Sequence, residues 1–307
     1  MKVTIHNKAG FCWGVVRTVD IAEETLAKAE KEHKNTYILC HIIHNPKEIS
    51  RLEQKGLRTI SHNDLEKISQ QDKDANIIIR AHGEPPSTYQ KTAELGLSVI
   101  DATCPLVTNL QNRVRKYHEL GYQIIIFGKK EHAEVIGLRG VCDDKCSVIK
   151  SLAEAEEIKV TTNQTVFMSQ TTMDKHIFNQ VKDFLDDKIN NMIDLGVIDN
   201  KLIGRDTTCR AVTSREEPLL EFAKENNVMI FVSGKDSSNG KSLFNSCLKV
   251  NPRTYFIEDI SEIEWNWFSP EDNVGIAGAT STPQWYMDKV KFYIESKFNP
   301  ETAGIIM

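Results

Sequence analysis

Asp-Ala-Thr-Cys-Pro-Leu-Val-Thr at 101–108 returns as Asp-Thr-Thr-Cys-Arg-Ala-Val-Thr at 206–213. Five of the eight positions are identical, at a spacing of 105 residues. Each copy leads into a charged helical pattern. A looser third copy, Gly10-Phe11-Cys12-Trp13-Gly14-Val15, lies 92 residues before Cys104 and also sets a cysteine just ahead of a long helix. Three cysteines at near-equal spacing and equivalent turns predict three related modules around a common centre. A repeat this long is not that of a solenoid.

Outward from these turns, apolar runs alternate with helical periodicity. Strands are expected at Lys2–Ile5, Tyr37–Cys40, Ile77–Arg80, Ser98–Ile100, Gln123–Phe127, Ser147–Ile149, Val166–Met168, Val228–Val232, Thr254–Ile257 and Val274–Ala277. They are short and rich in Ile and Val, as strands covered on both faces are. Helices are expected at Val15–His33, Pro46–Lys55, Pro86–Leu95, Leu106–Leu120, Asp174–Asp187, Ser214–Glu225, Lys241–Val250 and Pro283–Ser296. Alternating strand and helix predicts an α/β protein with mainly parallel sheets, its ligand groups gathered at the strands' carboxyl ends. The expected modules are 1–103, 104–205 and 206–282, with the helix 283–296 packing back on the first.

The 307 residues suit two domains or three small ones. A hydrophobic fraction of 40% with 26% charged residues builds a core and argues against global disorder. The longest apolar runs, such as Ile124–Phe127, fall far short of the roughly 20 residues of a membrane helix. The opening Met1-Lys2-Val3-Thr4-Ile5-His6 lacks the apolar stretch of a signal peptide, so the expected compartment is the cytoplasm. A net charge of −5 argues against a nucleic-acid partner, yet permits a local pocket for a small anion. Seven cysteines without a Cys-x-x-Cys pair remove the zinc-ribbon and thioredoxin readings.

A thiolate at a helix N-terminus is stabilised by free N–H groups and the helix dipole. Cys12, Cys104 and Cys209 meeting at one centre would bind a soft metal, and three ligands leave one metal position open. A [4Fe–4S] cluster held this way exposes one iron as a Lewis acid that also delivers electrons. Cys40, Cys142, Cys146 and Cys247 show no such context and are assigned to core or surface. His44, His82 and His132 each follow a strand, where imidazole N–H groups suit a phosphate oxyanion. Three small polar loops also follow strands: Ser169-Gln170-Thr171-Thr172, Gly234 to Gly240 with Ser237-Ser238-Asn239, and Gly278 to Pro283 with Ser281. Their backbone N–H groups and side chains can cradle an anion. Glu134, two residues past His132, is a proton carrier if burial raises its pKa. His6, His33, His62, His118 and His176 fall on termini or solvated stretches and are left out.

Together these motifs resemble the LytB-type 4-hydroxy-3-methylbut-2-enyl diphosphate reductase family. The resemblance runs from Gly10-Phe11-Cys12 to Ser281-Thr282-Pro283. It passes through Ile-Ile-His-Asn, Ala-His-Gly, Asp-Ala-Thr-Cys-Pro-Leu-Val, Ser-Gln-Thr-Thr and Ser-Ser-Asn in the family's order. It implies three α/β domains in a trefoil around a central iron–sulfur cluster. It implies Cys12, Cys104 and Cys209 as cluster ligands. His44, His82, His132, Ser237, Ser238, Asn239 and Ser281 are implied on the diphosphate, with Thr171 and Glu134 at the substrate hydroxyl and a ferredoxin or flavodoxin as electron donor. The chain departs from the family pattern at Ala133, where Pro is common, at Arg210, and in Thr280-Ser281-Thr282. A non-redox [4Fe–4S] dehydratase, an iron–sulfur sensor and a mononuclear zinc protein are the alternatives for the same cysteines. The diphosphate-type cradle weighs against the dehydratase and the net charge against a sensor with a nucleic-acid partner; metal analysis separates the zinc protein.

Overall fold

The structure, a computed structural model, describes residues 1–161, 164–197 and 200–298. Among these the strands are β1 (Lys2–Ile5), β2 (Thr36–Leu39), β3 (Leu57–Ile60), β4 (Asn76–Ile79), β5 (Ser98–Asp101) and β6 (Gln123–Phe127). They continue as β7 (Cys146–Ile149), β8 (Thr165–Ser169), β9 (Leu202–Arg205), β10 (Val228–Val232), β11 (Thr254–Ile257) and β12 (Asn273–Gly278). They form three four-stranded sheets with the orders β3-β2-β4-β5, β7-β6-β8-β9 and β11-β10-β12-β1. Every pairing is parallel. The three orders are one topology written three times, so the α/β fold and its threefold repeat hold.

Two compact units emerge. One comprises Met1–Val16, Ile43–Lys55 and Arg210–Met307, and carries the sheet β11-β10-β12-β1. The other comprises Arg17–Ile42 and Gly56–Cys209, and carries the other two sheets.

The expected first module, 1–103, is corrected at its start. β1 pairs with β12, Val3 opposite Val274 and Ile5 opposite Ile276, and so completes the sheet of the C-terminal third. The cause is a shared core: Val3, Val274 and Ile276 pack with Met287, Val290 and Ile294 of the helix Gln284–Phe298. That helix does pack on β1, but as part of this same sheet layer.

The strands β3 and β9 escaped the sequence reading. Both are edge strands, Leu-Arg-Thr-Ile and Leu-Ile-Gly-Arg, each with an exposed arginine. Four residues half in water carry no continuous apolar run, the sequence signal of a strand covered on both faces. The inner strands are the opposite case. Ile77, Ile78 and Ile79 are wholly buried, as are Ile125, Ile126 and Phe127. Short helices at Leu65–Gln71, Ala133–Gly140 and Leu152–Glu156 were also unforeseen. Among the described residues no helix is long and apolar enough to cross a membrane.

One position after the second strand of each sheet order recurs as a helix cap. Asn45 follows β2 and its side chain accepts from the N–H groups of Lys47 and Glu48. His132 follows β6 and accepts from Glu134 N–H, and Ser237 follows β10 and accepts from Gly240 N–H. Side-chain acceptors here satisfy donors that the first helical turn leaves free.

Aromatic packing anchors the sheet β7-β6-β8-β9. Phe178 of the helix Lys175–Asp194 stacks on Phe167 at 4.8 Å, with Phe127 beside both. Phe178→Ala is expected to cost about 3–5 kcal/mol through the cavity it leaves. Urea unfolding followed at this unit's aromatic signal is the measurement, and a loss under about 1 kcal/mol would contradict the assigned packing.

Candidate active site

The three cysteines are built alike. Cys104 follows β5, Cys209 follows β9 and Cys12 follows β1, which are the matching edge strands of the three orders. Each immediately precedes a helix: Trp13–Glu32, Pro105–Glu119 and Arg210–Thr213. The backbone N–H of each cysteine donates to a carbonyl in the loop after the adjoining strand. Cys104 donates to Ala81 at 2.9 Å, Cys209 to Thr171 at 2.8 Å and Cys12 to Thr280 at 3.1 Å. The Asp shared by both octapeptides has a local task. Asp101 Oδ1 accepts from Thr103 N–H at 2.8 Å, and Asp206 Oδ1 accepts from Thr208 N–H at 3.0 Å. An aspartate that bonds the chain two residues on shapes a turn, and here the turn delivers the cysteine to the helix start. All three thiols are partly exposed, whereas Cys142 and Cys247 are buried.

Two arginines that the sequence reading passed over hold these turns. Arg215 donates to the carbonyls of Gly10 and Phe11, just ahead of Cys12. Arg17 donates to the Thr103 carbonyl at 3.1 Å, while Thr18 Oγ1 donates to Ala102 at 2.9 Å. Both bonds are far from local in sequence, so no motif announces them.

In the unit of Arg17–Ile42 and Gly56–Cys209, the histidine and carboxyl candidates lie in these same loops. The rings of His82 and His132 meet edge to face, with centroids 5.2 Å apart. Gly83, at φ +71°, lets the Ala-His-Gly turn close; a Cβ there would sit 2.9 Å from Gln111 Nε2 and 3.0 Å from Thr103 Cγ2. Glu134 is 1% exposed. Its Oε1 accepts from Thr171 N–H and its Oε2 from the Thr171 hydroxyl, both at 2.7 Å. Burial pushes the carboxyl up to about 7, with the two Thr171 bonds pulling the other way. A group titrating there holds or releases a proton near neutrality. The Thr171 carbonyl in turn accepts from Cys209, so carboxyl, hydroxyl and cysteine turn form one hydrogen-bonded run.

In the unit with Cys12, the remaining candidates gather at the carboxyl ends of β10 and β12. Ser237, Asn239 and Ser281 are buried; His44 and Ser238 are half-buried. The His44 carbonyl accepts from the Ser281 hydroxyl at 3.5 Å and presses on Gly234, where a Cβ would come within 2.2 Å of it. Asn239 Oδ1 accepts both from Thr280 N–H and from the Thr280 hydroxyl, at 3.1 Å each. With its oxygen committed, the amide presents N–H donors to a ligand. Thr280 therefore links Asn239 to Cys12, a role the sequence reading did not assign.

This arrangement is that of an α/β protein built on three thiol-bearing modules, with imidazoles, hydroxyls and one proton-holding carboxyl in the strand-end loops. The chain belongs to the LytB protein family, which it matches over residues 3–295. A relative from Chlorobium limicola, named 4-hydroxy-3-methylbut-2-enyl diphosphate reductase, is 39% identical and covers 99% of this chain and 100% of its own. One of the same name from Prosthecochloris aestuarii is 42% identical over 97% of this chain and 100% of its own. A solved structure of (E)-4-hydroxy-3-methyl-but-2-enyl diphosphate reductase, described as the terminal enzyme of the non-mevalonate pathway, superposes with a TM-score of 0.69 at 33% identity. It covers 96% of this chain and 100% of that one. The Plasmodium falciparum reductase structure, at 24% identity and TM-score 0.83 over 97% of this chain and 89% of its own, shares the fold.

The raised Glu134 carboxyl sets a direction with pH. Below about 4.5 the folded and unfolded states are both protonated. As pH rises towards 7 the unfolded chain releases the proton first, so stability falls until the folded carboxyl ionises as well. Glu134→Gln, neutral throughout, is therefore expected to gain on the wild type in thermal midpoint between pH 5 and pH 8. A difference that stays constant with pH would contradict the raised value. Gly234→Ala is expected to lower stability by about 1–3 kcal/mol, because backbone has to move. A neutral outcome in urea titration would place the His44 carbonyl elsewhere.

Proposed function

We propose that this chain catalyses reductive dehydroxylation of 4-hydroxy-3-methylbut-2-enyl diphosphate to isopentenyl and dimethylallyl diphosphate, the last step of the methylerythritol phosphate route. In this reaction the C–O bond of the substrate alcohol breaks, two electrons and two protons enter, and water leaves. Full-length similarity to reductases of this name supports the reading. The observation that carries it is the hydrogen-bonded run from buried Glu134 through Thr171 to the turn of Cys209. A neutral-range carboxyl tied to a cysteine turn is what a coupled proton and electron step asks of a protein.

A [4Fe–4S] cluster fits the donor set. Three partly exposed thiols, each at a helix start and each on the same kind of backbone anchor, offer soft ligands. Cys12, Cys104 and Cys209 would hold it. When bound, such a cluster supplies electrons one at a time and Lewis-acid character at the iron without a protein ligand.

The chain's own groups do the rest. His44, His82 and His132 donate imidazole N–H groups to diphosphate oxygens. Ser237, Ser238 and Ser281 add hydroxyls, and Asn239 adds amide N–H groups that its bonds to Thr280 have oriented. The Thr171 hydroxyl and Glu134 lie by the substrate hydroxyl. When neutral, Glu134 carries its proton on Oε2 and the bond to Thr171 turns round, the carboxyl donating to the hydroxyl oxygen. That proton passes through the Thr171 hydroxyl to the departing oxygen, and Glu134 is protonated again from solvent. Near pH 7 the neutral and ionised forms are both populated, so the cycle needs little energy at this step. The electron donor is a ferredoxin or flavodoxin, and the compartment is the cytoplasm.

Substrate-dependent oxidation of reduced methyl viologen by anaerobically reconstituted protein tests the reading, with both five-carbon diphosphates as products. Iron near about four per chain is expected for the cluster, against one zinc for a mononuclear site. Cys104→Ser should keep the fold and lose turnover; full activity would remove the cluster assignment. Glu134→Gln should retain substrate binding and lose about 10²- to 10⁴-fold in kcat. Turnover near wild type would take Glu134 out of the proton path.

A further inference from the structure

One nucleophile, base and carboxylate set lies outside the machinery described above. Cys40 follows β2 and His62 opens the turn after β3. Glu84 stands in the loop between β4 and the helix Pro86–Glu94. Cys40 Sγ lies 3.9 Å from His62 Nδ1, and His62 Nε2 lies 2.7 Å from Glu84 Oε2. Glu84 is 4% exposed, while the His62 side chain is 46% exposed and Cys40 half-buried. The thiol is thus within reach of small molecules, and the carboxylate that orients the ring is held inside. Arg80 and the Thr88 hydroxyl steady that carboxylate, at 3.7 and 3.3 Å.

The order of the atoms decides what the set does. A metal needs donors that converge on one point, and a histidine offers a metal one nitrogen. Here His62 uses opposite nitrogens, one towards sulfur and one towards carboxylate. That is the arrangement of a base held between a nucleophile and an orienting group.

We infer that Cys40, His62 and Glu84 form a thiol-modification site at which Cys40 exchanges with low-molecular-weight disulfides of the glutathione class. In the exchange the Cys40 thiolate attacks one sulfur of the reagent. The new S–S bond to Cys40 forms as the reagent's S–S bond breaks. The departing thiolate takes the proton that His62 carries. Cys40 is oxidised to the mixed disulfide and the departing half is reduced to a thiol. A free thiol reverses every step.

The electrostatics agree with this geometry. The Cys40 sulfur and then the Glu84 carboxylate push the His62 imidazole up to about 9, against burial. An imidazolium therefore faces the sulfur across the physiological range. Also facing this cluster are the Arg80 guanidinium, 3.7 Å from Glu84, and Tyr89, whose hydroxyl burial pushes up to about 12 and so keeps neutral.

The test uses the full-length, cluster-loaded protein, treated anaerobically with limiting oxidised glutathione, quenched and mapped by peptide mass spectrometry. Cys40 is expected to carry the adduct first, and to be released by reduced glutathione. In His62→Asn the rate of Cys40 modification should fall about tenfold at pH 7, because the imidazolium that protonates the departing thiolate is gone. Cys40→Ser should take no adduct at this site and keep reductase turnover. First adducts at another cysteine of the wild type would overturn the assignment without recourse to any variant. So would an unchanged rate in His62→Asn.

Discussion

The bond from each cysteine N–H to the carbonyl of the neighbouring strand-end loop is the constraint on which the site rests. A buried backbone donor has to find a partner, and in each sheet the nearest is a carbonyl one strand over. The pairs are Cys104 with Ala81, Cys209 with Thr171, and Cys12 with Thr280. Each acceptor is itself a site residue or stands next to one: Ala81 precedes His82, and Thr280 precedes Ser281. One backbone contact thus sets the thiol and the ligand-binding side chain level with each other. Asp101 and Asp206 fold the approach to two of these cysteines, and Arg215 braces the third.

Glu134 shows how burial and hydrogen bonding are balanced. Removal from water alone drives a carboxyl far above its usual range, and it then stays neutral at every working pH. Two short bonds from Thr171 favour the ionised form and bring the balance back to about 7. The close approach of the helix Ala133–Gly140 makes the burial achievable. A Cβ at Gly137 would come within 2.7 Å of Gln111 Nε2, and one at Gly140 within 2.3 Å of Pro85. Small residues here let the helix lie against the Glu84-Pro85 loop, and so carry Glu134 inward. The same loop holds Glu84, which faces His62. The family machinery and the Cys40 set therefore share one structural support within this unit.

Much of the fold was legible because it is local chemistry. The octapeptide repeat, the Ile-rich inner strands and the polar caps each declare themselves within a dozen residues. The candidates Cys12, Cys104, Cys209, His44, His82, His132, Thr171, Ser237, Asn239 and Ser281 all follow strands, and the structure puts each at a strand's carboxyl end. The edge strands β3 and β9 were not legible, since half-exposed four-residue strands hold no apolar run. His62 read as solvated because its neighbours are polar; its partner Glu84 lies 22 residues away. His6 read the same way and is buried, 6% exposed, against Phe222.

The sequence by itself determined the α/β class, the three modules and the residue types at each strand end. Those follow from side-chain periodicity and turn chemistry, which act over a few residues. Only the tertiary structure decided that β1 closes the sheet of the C-terminal third, that Glu134 is buried on Thr171, and that Cys40 faces His62. Parallel pairing joins strands distant along the chain, and burial is set by whatever element arrives on the other side. Neither quantity is a property of a local stretch, so neither is written in one.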